Sequence, residues 1–155
     1  MKIEEELIDF PILNEELIKL KFIKNKKKKF VACSPIIPLG RIKVDELFFN
    51  FEPKQQIAII YHELWHYHNN LKFEIIYRIK HPWLLFLFFI NKPILWEQEF
   101  NADINGTFNT DKDTMIFVLK KLDNFLEEGL IISNHEKTHP PIKERIKRIQ
   151  NLKQF

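Results

Sequence analysis

This chain of 155 residues has little cysteine and little net charge. Cys33 is its sole cysteine, which excludes an intramolecular disulfide framework and favours a reducing compartment. We expect Cys33 to be buried in a strand. The formal net charge of +3 is too small to indicate a nucleic-acid partner, so none is expected. The one basic run, KNKKKK from Lys24 to Lys29, is typical of a solvated loop.

A secretion signal and a membrane-spanning run are also missing. The chain starts MKIEEELIDF, with acidic residues where a signal peptide needs basic and then apolar ones, so we expect a cytoplasmic protein. The longest apolar run, WLLFLFFI, begins at Trp83 and ends at Ile90. It is far shorter than the roughly 20 residues of a membrane span. It is either packed beneath a helix or a surface for a partner or for peripheral membrane contact.

The composition and the apolar spacing predict one globular α+β domain. Apolar residues make up 45% of the chain and charged residues 29%, as in ordinary folded proteins. We divide the domain into a helical and basic segment (1–29), a core (30–132) and a C-terminal segment (133–155) that could be regulatory. The predicted elements are one or two short helices in 1–23, strands at 30–34 and 41–44, and helices at 53–69, 93–109, 110–129 and from Pro141 onward.

Three details of these elements are open to test. The stretch 75–90 is ambiguous, with helix favoured as far as Lys80. The third predicted helix begins with Thr110 and Asp113, which resemble a capping box, and Gly129 is a suitable end for it. In the last predicted helix, Ile142, Ile146 and Ile149 share one face.

The stretch IAIIYHELWHYHNN carries the chemistry, because it contains the pattern H-E-x-x-H. Residues four apart lie on the same helix face, so His62 and His66 can bind one zinc ion. Glu63 is rotated by roughly 100° from His62 and is placed to take a proton from water on the metal. The alternative is that both histidines are core residues satisfied by hydrogen bonds.

A third zinc ligand is expected from the stretch WEQEFNAD. Glu99 and Asp103 are four apart on a predicted helix, so one carboxylate can bind the metal while the other orients a histidine ligand. An acidic pair of this kind is also common on a solvated face. Four other histidines carry less weight, namely His68, His81, His135 and His139; His139 is the most interesting of them, because two prolines follow it.

Taken in order, HELWH, EFNAD and THPPIKERI resemble the signature segments of gluzincin metallopeptidases. The resemblance is to integral-membrane members of the HtpX and CAAX-endopeptidase types and to antibiotic-sensor peptidases of the BlaR/MecR kind. It covers roughly residues 30–152. Because no membrane span is expected here, the chain looks more like the soluble minigluzincins, some of which are held latent by a C-terminal segment.

The resemblance implies a zincin-like fold and a zinc-dependent endopeptidase. It implies His62, His66 and Glu99 as ligands of one zinc ion, Glu63 as general base and Asp103 as the residue that orients a ligand histidine. It also implies that His139 helps to position substrate or to stabilise the oxyanion. The expected substrate is a peptide or an unfolded protein, and the C-terminal segment could keep the enzyme a zymogen. The competing hypothesis is a zinc-containing interaction or regulatory module without turnover.

Overall fold

A mixed sheet of four strands is formed by the N-terminal part of the chain. The structure is a computed structural model that describes residues 4–12, 16–24, 30–34, 41–80, 92–131 and 139–153. Neighbouring strands lie in the order β1-β2-β4-β3; β2 and β4 are parallel and the other pairs are antiparallel. Their bounds are β1 Glu4–Pro11, β2 Leu17–Lys24, β3 Ala32–Cys33 and β4 Lys43–Val44.

The first two strands form a hairpin, so the prediction of short helices in 1–23 is wrong. Ile8 lies opposite Leu20 on one face of the hairpin, and Phe10 packs edge-on against Phe48 of the core. The charges also match across the strands, since acidic residues of β1 face lysines of β2 in the pairs Glu4↔Lys24 and Asp9↔Lys19. Such cross-strand pairs stabilise a sheet, and they depend on a register that helical spacing does not reveal.

The two short strands predicted at 30–34 and 41–44 are confirmed at reduced length as β3 and β4. The buried carboxylate of Asp45 joins them to the next element. It accepts hydrogen bonds from Phe30 N at 2.8 Å and from Leu47 N at 2.7 Å. The second of these bonds caps a short 3-10 helix, Glu46–Asn50, which leads directly into the first α-helix.

Helix α1 runs Pro53–Lys80 and is therefore longer than the predicted 53–69. The helix was expected to end near Asn69, but the Asn69 amide donates to Trp65 O at 3.0 Å within the helix. The preference for helix up to Lys80 is confirmed. Three isoleucines near that end are exposed, Ile75, Ile76 and Ile79. The apolar run from Trp83 to Ile90, and His81 before it, lie outside the described residues.

Three further helices confirm the remaining helical predictions. They are α2 (Lys92–Phe108), α3 (Lys112–Glu127) and α4 (Ile142–Gln150). The start of α3 differs from the expected one, because its cap is Asp111, whose carboxylate accepts from Thr114 N at 2.7 Å. Gly129 follows its end with a φ of 67°, which suits glycine. Within the described parts of the chain, no helix is long and apolar enough to cross a bilayer.

The core connects the sheet to α1, α3 and α4. Its largest fully buried side chains include Leu20 from β2, Ile60 from α1, Leu119 from α3 and Ile149 from α4. This packing holds the first half of α1 in place. The other side of that half contacts α2, so the polar residues between α1 and α2 are enclosed by the fold.

Candidate metal centre

Two histidines of α1 face one another in the interior. His62 and His66 are both buried, although histidine is usually only partly so. Their Nε2 atoms lie 3.2 Å apart. They are one turn apart on the helix, and residues at this spacing share a face. The structure therefore brings together ring nitrogens of the two histidines that the sequence pattern predicts to be ligands.

Helix α2 supplies the third group. Glu99 is buried, and its Oε1 lies 3.1 Å from His66 Nε2 while its Oε2 lies 3.6 Å from His62 Nε2. Each of the three residues offers a ligand atom within 4.8 Å of the others. Within the described part of the chain, Glu99 Oε2 accepts no hydrogen bond although it is buried. Apart from an ion pair with Arg145 Nη1 at 3.4 Å, this oxygen is available to an ion.

The spacing of these atoms fits a tetrahedral metal. Zinc binds histidine nitrogen and carboxylate oxygen at about 2.0–2.2 Å, which places neighbouring ligand atoms of a tetrahedron about 3.3 Å apart. The two Nε2 atoms are 3.2 Å apart, and the Glu99 carboxylate approaches them through different oxygens, Oε1 at 3.1 Å from His66 and Oε2 at 3.6 Å from His62. One ligand atom from each residue lies within 4.8 Å of the other two, so a divalent ion could contact all three residues. Metal binding is what this cluster could do chemically.

Asp103 lies one turn beyond Glu99 and is almost fully buried. Its Oδ1 is 3.0 Å from His62 Nδ1. The two groups are in close contact, although Nδ1 makes no hydrogen bond of standard geometry within the described residues, and Nε2 on the other side of the ring faces Glu99 and His66. A carboxylate behind a ligand histidine sets the tautomer and the ring orientation.

Arg145 of α4 is a member of the site that the sequence reasoning missed. It is buried, and its Nε and Nη2 donate to the two oxygens of Asp103 at 2.7 and 2.6 Å. Its Nη1 also lies 3.4 Å from Glu99 Oε2. A signal was present in the sequence, because Arg145 occupies the same helix face as the buried Ile142 and Ile149. A charge on a buried face needs a partner.

The buried charges favour ionised carboxylates. Burial alone would raise the pKa of Glu99, but the hydrogen bond with His66 and the charge of Arg145 outweigh it, so this pKa lies well below its usual range. Burial likewise opposes ionisation of Asp103, and Arg145 and His62 overcome it to lower that pKa too. The pKa of Arg145 is raised, because Asp103 and Glu99 more than offset its burial. A cation therefore meets negative charge at this site.

Glu63 and His139 lie beside the three ligand candidates. Glu63 is half-buried on α1, and its negative charge acts on both Cys33 and His139. His139 is also half-buried, and its Nε2 is 3.5 Å from Glu99 Oε1. Burial lowers the pKa of His139, while the charge of Glu99 opposes that shift. The imidazole is therefore mainly uncharged at neutral pH.

Three other described residues with side chains able to bind a metal, His68, Glu97 and Cys33, do not join the cluster. His68 is exposed on α1, and His135 and His81 lie outside the described residues. Glu97 pairs with Arg148 through two hydrogen bonds of 2.8 and 3.0 Å. Cys33 is half-buried in β3, and burial and the charge of Glu63 raise its pKa to about 11. Among the described residues, the group that could hold a metal ion thus consists of His62, His66 and Glu99.

Comparisons with protein-family models, with curated proteins and with solved structures find no match for this chain.

Proposed function

We propose that this chain is a zinc-dependent endopeptidase of the gluzincin type, with a zincin-like fold and one catalytic ion. His62, His66 and Glu99 would hold that ion. The observation that carries the proposal is the convergence of their ligand atoms, which lie within 4.8 Å of one another in the interior. The lowered pKa of the Glu99 carboxyl supports it, since an ionised ligand carboxylate favours metal binding.

Bound zinc would supply a Lewis acid that increases the acidity of water and polarises the scissile carbonyl. Glu63 follows His62 directly, so its carboxylate belongs to the site without being one of the three clustered ligand groups. In the proposed reaction, Glu63 accepts a proton from the attacking water and delivers it to the departing amine. Asp103 Oδ1 lies 3.0 Å from His62 Nδ1 and would orient the ring with Nε2 towards the ion.

His139 and β3 would act on the substrate. The uncharged imidazole of His139 keeps one N–H donor and lies beside Glu99, a proposed zinc ligand. It would therefore be placed to donate a hydrogen bond to the substrate carbonyl or its developing oxyanion. An extended peptide could add to the short strand β3, whose residue Cys33 is sensitive to the charge of Glu63. Backbone pairing of this kind would favour unfolded proteins and peptides as substrates.

Only the first part of residues 133–155 is proposed to keep the enzyme latent. Helix α4 belongs to the same segment, yet its Arg145 is bound to Asp103 and contacts Glu99. Because α4 supports the site, it cannot act only as a segment that blocks the site. We therefore place a regulatory role before α4, where His139 approaches Glu99.

The deciding experiment is cleavage of unfolded casein by the zinc-loaded protein. Glu63→Gln keeps the size of the side chain and removes the base, so it should abolish cleavage while zinc content stays at one ion per chain. A chelator should abolish cleavage as well, and added zinc should restore it. Zinc bound at one ion per chain, with no cleavage of casein or of short peptides, would favour the non-catalytic module instead.

A further inference from the structure

The contact between α1 and α2 fixes the geometry of the metal centre. Four contacts follow one another along the two antiparallel helices. Gly106 lies against Ala58, Asn105 bonds the backbone at Tyr61, Asp103 holds the His62 ring, and Glu99 faces His66. Two of the three ligands come from α1 and the third from α2. The distances between ligand atoms therefore depend directly on the register of these helices.

Asn105 makes the hydrogen bond that ties the two backbones together. Its Nδ2 donates to Tyr61 O at 2.6 Å, and Tyr61 immediately precedes the ligand His62. The orientation of the amide is unambiguous, because the reverse orientation would place Oδ1 against a carbonyl oxygen. Asn109 also fixes it, since its amide approaches Asn105 Oδ1 at 3.4 Å. Asn105 and Asp103 therefore hold the backbone and the side chain of the same turn of α1.

Gly106 sets how closely the helices approach. A Cβ atom placed there would lie 2.8 Å from Ala58 O, a distance that real Cβ atoms essentially never show. Any side chain at this position would push the helices apart. Metal sites tolerate deviations of about 0.2 Å in ligand distance. A shift of one residue along a helix is about 1.5 Å, which would remove Glu99 from the cluster.

We propose that Asn105 is a positioning residue for the metal centre, which fixes the register of α2 against α1 through its bond to Tyr61 O. Gly106 permits the close approach that this bond requires. Asn105 touches neither ion nor substrate and acts through Glu99, His62 and His66. This inference rests on the proposed zinc site. It adds a residue that lies outside EFNAD, the segment that resembles a gluzincin signature.

The test compares two alanine variants of the same helix. Asn105→Ala removes the bond between the helices. Asn101→Ala is the matched control, because the Asn101 amide bonds Glu97 O within α2 at 2.8 Å. Both changes remove one side-chain bond to the backbone and gain the same helix propensity, and Asn105→Ala also removes the 3.4 Å contact with Asn109. Zinc affinity is measured by competition with a chromophoric chelator, at a temperature where circular dichroism shows each protein fully folded.

We expect Asn105→Ala to weaken zinc binding about 10-fold or more, as for loss of other outer partners of a metal site, and Asn101→Ala to stay within about threefold of wild type. The cobalt-substituted Asn105→Ala protein should also have weaker visible absorption bands, because its ligand set is distorted. A purely structural role would lower the melting temperature of the metal-free protein and leave the affinity unchanged.

The outcomes separate this inference from the proposed function. Tight zinc binding by the wild type with equal affinities for the two variants would overturn the role of Asn105 alone. Failure of the wild type to bind zinc would overturn the metal centre and the inference with it. If Asn105→Ala does not fold, Asn105→Leu fills the same space without a donor, and the same loss of affinity is expected of it.

Discussion

Arg145 and Asp103 form a buried, two-bonded ion pair between α4 and α2, with hydrogen bonds of 2.7 and 2.6 Å. The same Asp103 holds the ring of His62 from the other side. A residue near the C-terminal end of the described chain is thereby connected to a ligand of the candidate metal centre through one carboxylate. The stability of α4 and the chemistry of the site are not independent.

Arg145→Met is expected to destabilise the metal-free protein by about 3–5 kcal/mol, because it leaves the buried Asp103 charge without its partner. Arg148→Met is the matched control on the same helix. Arg148 pairs with Glu97 and lies over the Phe100 ring, but both charged side chains are partly exposed. Its loss should cost only about 1 kcal/mol.

Urea unfolding followed by circular dichroism measures both variants of α4. The double variant Arg145→Met/Asp103→Asn should be less destabilised than the sum of the two single changes, since neither buried charge then remains alone. Equal costs for Arg145→Met and Arg148→Met would show that the buried pair does not hold α4 in place.

Removal of residues 133–155 is expected to damage the site rather than to open it. The shortened chain loses Arg145, and with it the cation that lowers the pKa values of Glu99 and Asp103. It should bind zinc more weakly and melt at a lower temperature than the full chain. His139→Ala in the full chain is the better probe of latency, because it changes the contact with Glu99 and retains α4.

The casein assay tests the support from α4 and the role of His139 separately. Cleavage by the chain that ends at residue 132, at or above the level of the full chain, would contradict the supporting role of α4. Higher cleavage by His139→Ala than by the full chain would support a lock at His139. Lower cleavage would instead support its proposed action on the substrate.

The helical parts of the site could be predicted because their spacing is local. His62 and His66, and likewise Glu99 and Asp103, are four residues apart, and the structure places each pair on one helix face at the centre. The partnership of Arg145 and Asp103 spans 42 residues, so no local period indicates it. The β1–β2 hairpin was not predicted for a related reason. The alternation of its residues indicates a sheet only when the pairing of the two strands is known.

Glu99→Gln is expected to lower zinc affinity by more than the roughly 10–100-fold that is typical of an outer partner, because a charged ligand is lost. Glu97→Gln is its control on α2, since Glu97 pairs with Arg148 and lies outside the cluster. Zinc per chain is measured by elemental analysis after dialysis against a weak chelator. Full zinc content in Glu99→Gln would contradict the ligand assignment and direct attention to His139.

Cys33 provides a chemical measure of the electrostatics beside Glu63. Burial and then the charge of Glu63 raise the pKa of the Cys33 thiol to about 11. A free thiol titrates near pH 8.5, so its thiolate fraction levels off above that value. In the folded protein, the rate of alkylation by iodoacetamide should instead rise about tenfold per pH unit from pH 7 to pH 10 without levelling off.

The pH dependence of the alkylation rate distinguishes a raised pKa of Cys33 from restricted access of the reagent. Restricted access would lower the rate by the same factor at every pH. The urea-unfolded chain serves as the control and should level off near pH 8.5–9. Glu63→Gln removes a charge that opposes thiolate formation, so it should increase the rate at pH 8 in the folded protein. A folded protein whose rate levels off like the unfolded chain, and which does not respond to Glu63→Gln, would place the Glu63 carboxylate away from β3. The proposed substrate position along that strand would then have to be abandoned.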